Sequence, residues 1–240
     1  MVPACGLEVW HVDLGLPWRS AELLDLLDAR ERAQAARFRF VHLADAYIVA
    51  HAALRSVLSR WLGQRPQDVV FDFNAYGKPS IAQSGAPVFS LSHTLGAALC
   101  AVAPSGEIGV DIERKRPLAK TELVERFFSP TEIAQFNELA PEQQEAGFFS
   151  GWTRKEAYIK AKGLGLSLPL NRFAVDLSPA SAPALRTSEL ASEDVDRFRL
   201  WDLAVGADFS AALAYAGPIS SPPSRHDWLP DAVTALGWKG

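Results

Sequence analysis

The residues Ile108–Glu113 constrain the fold more than any other stretch, because their pattern is that of a strand with two chemically different faces. Successive side chains of a strand point to opposite sides of the sheet. One side is apolar and β-branched, formed by Ile108, Val110 and Ile112. The other side carries Asp111 and Glu113, whose carboxylates lie about 7 Å apart along a strand. Two negative charges at that separation repel unless a cation lies between them or one carboxylate is protonated.

Two interpretations of this carboxylate pair remain open. Oxygen ligands suit a hard cation such as Mg²⁺, which typically takes one or two protein carboxylates together with substrate phosphates. The alternative is the solvated face of an amphipathic strand, and this is the better explanation of an isolated D-x-E pattern. A metal site at Asp111 and Glu113 therefore requires a third acidic residue from elsewhere in the chain.

The composition excludes several classes of protein. The 240 residues include 48% hydrophobic and 22% charged side chains, which is ordinary for one folded domain or two smaller ones. The net charge of −4 and the isoelectric point of about 5.8 argue against non-specific binding of nucleic acid. No apolar run approaches the roughly 20 residues that cross a bilayer, and the first residues lack a secretory signal pattern. Cys5 and Cys100 show neither metal-type nor disulfide spacing, so we expect a cytoplasmic protein with reduced thiols.

Hydrophobic periodicity predicts helices followed by strands in each half of the chain. In the first half the predicted elements are a strand at Leu7–Leu14, helices at Ser20–Arg39 and Leu43–Leu62, a strand at Val69–Phe73, and strands at Val88–Ser92, Ala97–Ala103 and Glu107–Glu113. Short turns join the last three strands, which predicts a three-stranded antiparallel meander. In the second half the predicted elements are helices at Thr121–Phe128, Pro130–Leu139 and Glu142–Lys162, and strands at Phe173–Leu177, Arg197–Ala204 and Phe209–Tyr215.

This repetition predicts an α+β fold of two similar, pseudo-symmetric subdomains, each with helices packed on a small and mostly antiparallel sheet. The expected boundary lies near Arg116-Pro117, which gives an N-terminal subdomain of residues 1–116 and a C-terminal subdomain of residues 117–240. The proline-rich segment from Gly217 is expected to wrap the surface or to be loosely held.

A second informative stretch supplies the third acid. On a helix Trp152, Glu156 and Lys160 recur every four residues and share one face. A surface Glu–Lys pair, worth only about 0.3–0.5 kcal/mol, would explain two of these residues. Trp152 on the same stripe favours a face that is at least partly covered, because large aromatic side chains are mostly buried. A covered Glu156 is the third carboxylate that the strand requires.

These two stretches together resemble the signature motifs of the 4′-phosphopantetheinyl transferases. The motifs are Gly109–Glu113 and Trp152–Lys160, and the supporting segments are Tyr76–Pro79, Phe89–His93, Arg126–Ser129 and Gly163–Leu170. Their order and the chain length are similar to the long, surfactin-synthetase-activating type, and the resemblance extends from about residue 37 to residue 175. Each motif is weak alone, but the set in one order is specific.

The resemblance implies an enzyme that moves the phosphopantetheine arm of coenzyme A to a serine of an acyl or peptidyl carrier protein and releases 3′,5′-ADP. It implies that Asp111, Glu113 and Glu156 hold Mg²⁺, with Mn²⁺ as the alternative ion. Glu156 is further implied to help remove the serine proton. Lys160 is implied to neutralise phosphate charge and to assist the leaving group.

The resemblance also implies a set of residues that bind coenzyme A. Lys78, Ser92 and His93 lie in predicted turns that the family uses to grip its phosphates, although a structural turn histidine is the main alternative for His93. Lys155 is predicted to point away from the Glu156 face and to contact coenzyme A or solvent. Ser92 and His93 do not form a hydrolase pair, because neighbours on a strand point apart and no G-x-S-x-G motif is present.

One departure from the family concerns the start of the second helix, where an arginine that contacts coenzyme A is usual. Here the position is Ala46. The nearby arginines that could replace it are Arg30, Arg32, Arg37 and Arg39, and the sequence does not select one of them. The change is expected to weaken coenzyme A binding more than turnover.

The implied partner is an acidic carrier protein from a fatty-acid, polyketide or non-ribosomal peptide system. The basic residues Arg114, Lys115 and Arg116 directly follow the metal strand and are a candidate docking edge, with a basic loop that has no partner as the alternative. We expect a monomer, because one chain supplies both subdomains. The rival functions are a non-catalytic coenzyme A or carrier-binding module, a magnesium-dependent phosphodiesterase or nuclease, and a scaffold with surface acids.

Overall fold

The computed structural model describes residues 6–117, 120–178, 182–189, 191–218 and 221–229. Among these residues, the alternating and helical patterns of the sequence form eleven strands and seven α-helices. The strands are β1 (Glu8–Asp13), β2 (Phe71–Phe73), β3 (Pro79–Ile81), β4 (Val88–Thr94), β5 (Ala97–Ala103), β6 (Glu107–Arg114), β7 (Phe173–Val175), β8 (Leu185–Ser188), β9 (Arg199–Asp202), β10 (Phe209–Ala216) and β11 (Ser224–Asp227). The helices are α1 (Ser20–Leu23), α2 (Ala29–Ala35), α3 (Val41–Leu62), α4 (Lys120–Phe127), α5 (Pro130–Glu138), α6 (Pro141–Lys162) and α7 (Asp194–Arg197). The α+β class is as predicted.

The chain divides into two units. Unit 1 takes the described residues between 6 and 72, between 79 and 105, and between 221 and 229. Unit 2 takes those between 73 and 78 and between 106 and 218. The boundary predicted near residue 116 differs from this division, because β6 belongs to unit 2 and the described part of the C-terminal segment belongs to unit 1.

Unit 1 is a four-stranded sheet with the order β11-β1-β5-β4, covered on one face by α3. β1, β5 and β4 are antiparallel neighbours, and β11 runs parallel to β1. Its core contains Trp10, Val12 and Cys100 from the strands and Val49 and Val57 from α3. The helix ends at Gly63, whose φ of 66° is the left-handed conformation that glycine adopts at helix ends.

Two predicted features of unit 1 are wrong. The helix predicted over residues 20–39 is broken, because Asp28 caps α2 and shares a capping box with Glu31, which starts a new helix at that point. The segment after Gly217 was expected to be surface wrapping or loose chain. Instead, Ser224–Asp227 adds a strand to the sheet and Trp228 is buried behind it.

Unit 2 is built on a three-stranded antiparallel sheet with the order β6-β10-β9, on which α6 packs. The predicted meander is therefore wrong in its third strand: β4 and β5 form a hairpin, but β6 pairs with β10 over eight residues, from Glu107 opposite Ala216 to Arg114 opposite Phe209. β10 lies about a hundred residues after β6 in the sequence, so the short turns between the predicted strands give no sign of this pairing. None of the helices described is both long enough and apolar enough to cross a membrane.

Candidate active site

The site is formed where α6 lies against β6 in unit 2. A Cβ atom added at Gly109 would overlap the backbone carbonyl oxygen of Ala157 and the amide nitrogen of Ala161, so this strand position accepts only a glycine beside the helix. Gly109 shares a strand face with Asp111 and Glu113. The close contact of backbones therefore brings the stripe of α6 that contains Glu156 next to these two carboxylates.

Two of the predicted site residues, Lys160 and Asp111, meet directly. The Nζ atom of Lys160 donates to Oδ1 of Asp111 at 2.7 Å, and Asp111 is buried while Lys160 is half-buried. Trp152 lies close enough to Glu113 to oppose the rise of its pKa. Trp152 also packs against Phe127 and Phe148 at ring-centre distances of 5.7 and 5.8 Å. Trp152 thus holds α6 against the neighbouring aromatic side chains, as expected for a face that is at least partly covered.

The carboxylates also act on one another electrostatically. Burial raises the pKa of Glu156 to about 7, with further increases from Asp111 and Glu113 and an opposing effect from Lys160. The pKa of Glu113 is raised as well, first by burial and then by Asp111, while Arg116, Lys160 and Trp152 oppose the shift. The cluster is therefore crowded with negative charge, and a cation would relieve it.

The chemistry of this donor set fits a hard divalent cation such as Mg²⁺, because all three acids offer carboxylate oxygens in one partly buried place. As the side chains stand, no three His, Cys, Asp or Glu residues in the described ranges are grouped closely enough to hold an ion. The assignment of the ion to Asp111, Glu113 and Glu156 therefore stays a prediction.

Lys155 contradicts the sequence-based prediction that it faces outward. Its side chain is fully buried, and Nζ donates to both carboxylate oxygens of Glu132 at 2.7 and 2.6 Å and to the carbonyl oxygen of Phe173 at 2.7 Å. Glu132 is itself held by the backbone amides of Ser129 and Val175. Burial lowers the pKa of Lys155 to about 8, against the opposing charge of Glu132. Lys155 is thus a core residue without exposure to solvent, and its contact with coenzyme A stays a prediction.

Glu132 is a residue near the site that the sequence pattern does not reveal as the partner of Lys155. The available signal was the capping box Ser129-x-x-Glu132 at the start of α5, where the Ser129 amide donates to Glu132 and the Glu132 amide donates to the Ser129 hydroxyl. That pattern marks a helix start. It does not show that the same carboxylate also receives a buried lysine from α6.

Lys78 lies in unit 2 beside the crossing of β6 and α6. Its Nζ atom donates to the carbonyl oxygens of Ile108 at 3.1 Å and Ala161 at 2.8 Å, and burial lowers its pKa to about 8 while Glu107 opposes the shift. Asn74 from the same turn donates to the carbonyl oxygen of Gly163 at 2.8 Å. Lys78 therefore has a structural contact at the crossing, and its binding of coenzyme A stays a prediction.

Ser92 and His93 are in unit 1 and are not in a turn as predicted. β4 continues to Thr94, because its pairing with β5 runs through Ser92, His93 and Thr94, and the turn is reduced to Leu95 and Gly96, the latter with a φ of 95°. Ser92 is buried and His93 is exposed, as expected for neighbours on opposite faces of a sheet. Their role in binding coenzyme A is a prediction that this geometry does not test.

The predicted docking residues lie at and just after the end of β6. Arg114 and Arg116 are exposed, and Lys115 donates from Nζ to the carbonyl oxygen of Ala207 at 3.0 Å. Arg116 is also close enough to Glu113 to oppose the rise of its pKa. This basic segment is therefore continuous with the acidic cluster, and its docking role stays a prediction.

Several known proteins are similar to this chain. The family model described as the 4′-phosphopantetheinyl transferase superfamily matches residues 107–214. The 4′-phosphopantetheinyl transferase HetI of Nostoc sp. strain PCC 7120 is 36% identical over 219 residues, which are 88% of this chain and 88% of HetI. The 4′-phosphopantetheinyl transferase Sfp of Bacillus subtilis strain 168 is 38% identical over 141 residues, which are 58% of this chain and 62% of Sfp. A crystal structure of Helicobacter pylori holo-acyl-carrier-protein synthase in complex with coenzyme A aligns with a TM-score of 0.34 and 26% identity over 46% of this chain and 99% of that chain.

Proposed function

Since this chain belongs to the 4′-phosphopantetheinyl transferase superfamily, we propose that it transfers the phosphopantetheine arm of coenzyme A to a serine of an apo acyl or peptidyl carrier protein in a magnesium-dependent reaction. The observation that supports the proposal is the cluster at the crossing of β6 and α6, where Lys160 pairs with Asp111 at 2.7 Å. Burial first, and then the charges of Asp111 and Glu113, raise the pKa of Glu156 there. The protein is proposed to act as a cytoplasmic monomer.

The proposed ion ligands are Asp111, Glu113 and Glu156, which between them supply carboxylates from both β6 and α6. When bound, Mg²⁺ or Mn²⁺ supplies charge neutralisation at the pyrophosphate oxygens of coenzyme A. The burial of Asp111 excludes water from one side of the cluster, which strengthens every electrostatic contact there.

The remaining steps concern protons and phosphate charge. The serine oxygen of the carrier protein attacks the phosphorus next to the pantetheine arm, and the bond to the bridging oxygen breaks to release 3′,5′-ADP. Glu156 accepts the serine proton at its carboxylate. Lys160, one helical turn further along α6, carries the positive charge that neutralises the departing phosphate.

Incubation with coenzyme A, MgCl₂ and an apo carrier protein tests the proposal, with the mass of the carrier protein as the readout. We expect the mass gain of one phosphopantetheine arm, its loss on chelation with EDTA, and its return with Mg²⁺ or Mn²⁺. Glu156→Gln is expected to reduce transfer by about 10²–10⁴-fold, while its circular dichroism spectrum stays that of the wild type. Glu142→Gln, an exposed substitution in the first turn of the same helix, is the matched control.

Two results would contradict the proposal. Transfer by Glu156→Gln at the wild-type rate would remove the proposed base. Binding of coenzyme A without transfer to acyl or peptidyl carrier proteins would instead support a non-catalytic binding module.

A further inference from the structure

Four charged side chains in unit 2 form a closed ring of ion pairs at the C-terminal end of α6. Lys162 reaches Glu107 at 3.3 Å and Asp194 at 2.9 Å. Arg197 reaches the same two carboxylates, Glu107 at 2.6 Å and Asp194 at 2.9 Å. Positive and negative charges alternate around the ring, so it has no net charge. The hydroxyl of Tyr158 donates to Asp194 at 2.6 Å and adds a fifth member.

Asp194 makes this ring rigid. Its side chain has no exposed surface, and it accepts from Tyr158, Lys162 and Arg197. A buried carboxylate is costly unless its oxygens are paired, so each of these donors is held where Asp194 requires it. The outer members are less enclosed, with 18% of the Lys162 side chain and 31% of the Glu107 side chain exposed. The ring is therefore anchored at Asp194 and reaches β6 through Glu107.

The ring and the acidic cluster lie on opposite sides of the contact between β6 and α6. Glu107 is the first residue of β6, two positions before Gly109, and Asp111 is two positions after it. Lys162 is the last residue of α6 and lies beyond Ala161 at the contact, whereas Glu156 lies on the other side of Ala157. Gly109 is thus the point at which the two elements touch. The ring ties their ends on one side of it, and the catalytic acids face each other on the other side.

We infer that the ring of Glu107, Lys162, Asp194 and Arg197, with Tyr158, is a positioning device that sets the placement of α6 on β6 and thereby the separation between Glu156 and Asp111. Its members touch none of the reacting atoms, so they are positioning residues. An α-helix is stiff over the six residues from Lys162 to Glu156, about 9 Å, and carries a displacement from one end to the other. A misplacement of about 1 Å in an active site can cost roughly 10²-fold in rate.

Other buried anchors of α6 act on different neighbours. Arg154 is held by Asp202 of β9, and Lys155 is held by Glu132 of α5. These pairs fix the helix to unit 2 as a whole. Lys78 also bridges β6 and α6, through the carbonyl oxygens of Ile108 and Ala161. The ring differs from all three because it joins a side chain of the last residue of α6 to a side chain of the first residue of the strand that carries Asp111 and Glu113.

Lys162→Met tests the inference, with Lys162→Arg as the conservative rescue and Arg186→Met as the matched control. Arg186 pairs with Asp176, another buried carboxylate of unit 2, at 2.8 Å, and it contacts neither α6 nor β6 through that pair. Three quantities are measured: Mn²⁺ affinity in the presence of coenzyme A by electron paramagnetic resonance, kcat and KM for transfer, and amide hydrogen exchange of residues 110–113 in metal-free protein.

We expect Lys162→Met to weaken Mn²⁺ binding and to lower kcat, each by about tenfold or more, and to accelerate amide exchange at Asp111 and Glu113. KM for the carrier protein should stay near the wild-type value, because no docking residue changes. Lys162→Arg should restore most of the loss, and Arg186→Met should match the wild type in all three quantities. If Lys162→Met changes only the melting temperature and leaves Mn²⁺ affinity and exchange at 110–113 unchanged, the ring is merely structural and the inference is wrong.

Two further measurements separate a failure of the inference from a folding defect and from a failure of the proposed function. The catalytic consequence of the ring rests on that proposed function. If Lys162→Met does not fold, Tyr158→Phe removes only the hydroxyl that donates to Asp194, and wild-type Mn²⁺ affinity and exchange in that variant would overturn the inference. If the wild type transfers no phosphopantetheine, the proposed function fails. The exchange of residues 110–113 still decides whether the ring positions the strand.

Discussion

Glu156 is the residue at which burial and neighbouring charge act most strongly on the proposed chemistry. Burial first, and then Asp111 and Glu113, raise its pKa from about 4.5 to about 7. A carboxyl group with a raised pKa contributes stability that is fully present below its unfolded value and is lost as the pH rises through the folded value. For Glu156 this window extends from about pH 4.5 to about pH 7. A bound divalent cation should restore the stability that is lost when Glu156 ionises.

This argument predicts that the stabilisation of the protein by Mg²⁺ increases with pH. At 100 times its dissociation constant a ligand stabilises the folded state by about 2.7 kcal/mol, which for a chain of this length is roughly 5–11 °C in Tm. We expect a shift of this size at pH 8 and a much smaller one at pH 5, because protons compete with the ion at Glu156. Thermal unfolding with and without saturating MgCl₂ measures it. Equal shifts at both pH values, or an unchanged profile in Glu156→Gln, would contradict the explanation.

The residues of the cluster differ in how far the sequence could predict them. Asp111 and Glu113 follow from strand alternation, and Glu156 and Lys160 follow from helical spacing, because both are local patterns. Lys155 has the same local setting as Lys160, yet it is fully buried against Glu132. That outcome depends on where α5 packs, and the free energy that decides it comes from contacts between residues 23 positions apart. The periodicity of apolar residues within one helix does not predict such contacts.

The contact between β6 and α6 gives a prediction at the level of elements. In Gly109→Ala the new methyl group would overlap backbone atoms of Ala157 and Ala161, which cannot rotate away, so α6 must move off the strand. We expect a loss of about 1–3 kcal/mol in the free energy of unfolding, together with a loss of transfer activity as Lys160 separates from Asp111. Urea unfolding and the transfer assay measure the two effects.

Gly147→Ala is the control for that substitution. Gly147 lies in the same helix, but the atom nearest to its added Cβ is the end of the Leu139 side chain, which can change rotamer. Alanine is also the better helix former by about 1 kcal/mol, so this variant should keep wild-type stability and activity. A Gly109→Ala variant with wild-type activity would show that α6 and β6 need not touch backbone to backbone.

Elements with strong local signals were predicted, and elements defined by distant partners were not. The spans of α3 and α6 agree with the prediction to within about two residues at each end, since long apolar stripes and terminal glycines mark them. The break before α2 is an exception, because its cause, the capping box of Asp28 and Glu31, is a local pattern that the sequence already contains. Arg55 from α3 reinforces this capping box. β6 was placed correctly as a strand but assigned to the wrong sheet, because β10, its partner, follows it by about a hundred residues.

At the scale of the whole molecule, chain order and spatial grouping differ. The predicted cut at residue 116 follows the order of motifs, whereas the structure groups β6 with the second half and returns residues 221–229 to the first unit. Both departures are strand pairings between distant segments, β6 with β10 and β11 with β1. Such a pairing stabilises the fold only after the loop between the strands has closed, so the local sequence does not predict it.

The charge of the whole molecule bears on how it would meet its carrier protein. The chain has a net charge of −4, and an acidic carrier would be repelled at long range unless it approached a basic segment. Arg114 and Arg116 are exposed and Lys115 is half-buried, so the segment that follows the acidic strand presents positive charge to solvent. Arg116 is unsuitable for a test of docking, because its charge also lowers the pKa of Glu113.

Arg114→Glu combined with Lys115→Glu therefore tests docking separately from catalysis. We expect KM for an acidic carrier protein to rise by about tenfold at low salt, since complementary charge acts mainly on the encounter rate, while KM for coenzyme A stays at the wild-type value. Arg65→Glu combined with Arg172→Glu makes the same change in net charge at two other exposed arginines and should leave both constants near those of the wild type. The difference between the two double variants should shrink with added salt, because the screening length falls from about 10 Å at 0.1 M to about 3 Å at 1 M. An equal rise of KM for the carrier in both variants would assign the effect to total charge and would remove the docking role of Arg114 and Lys115.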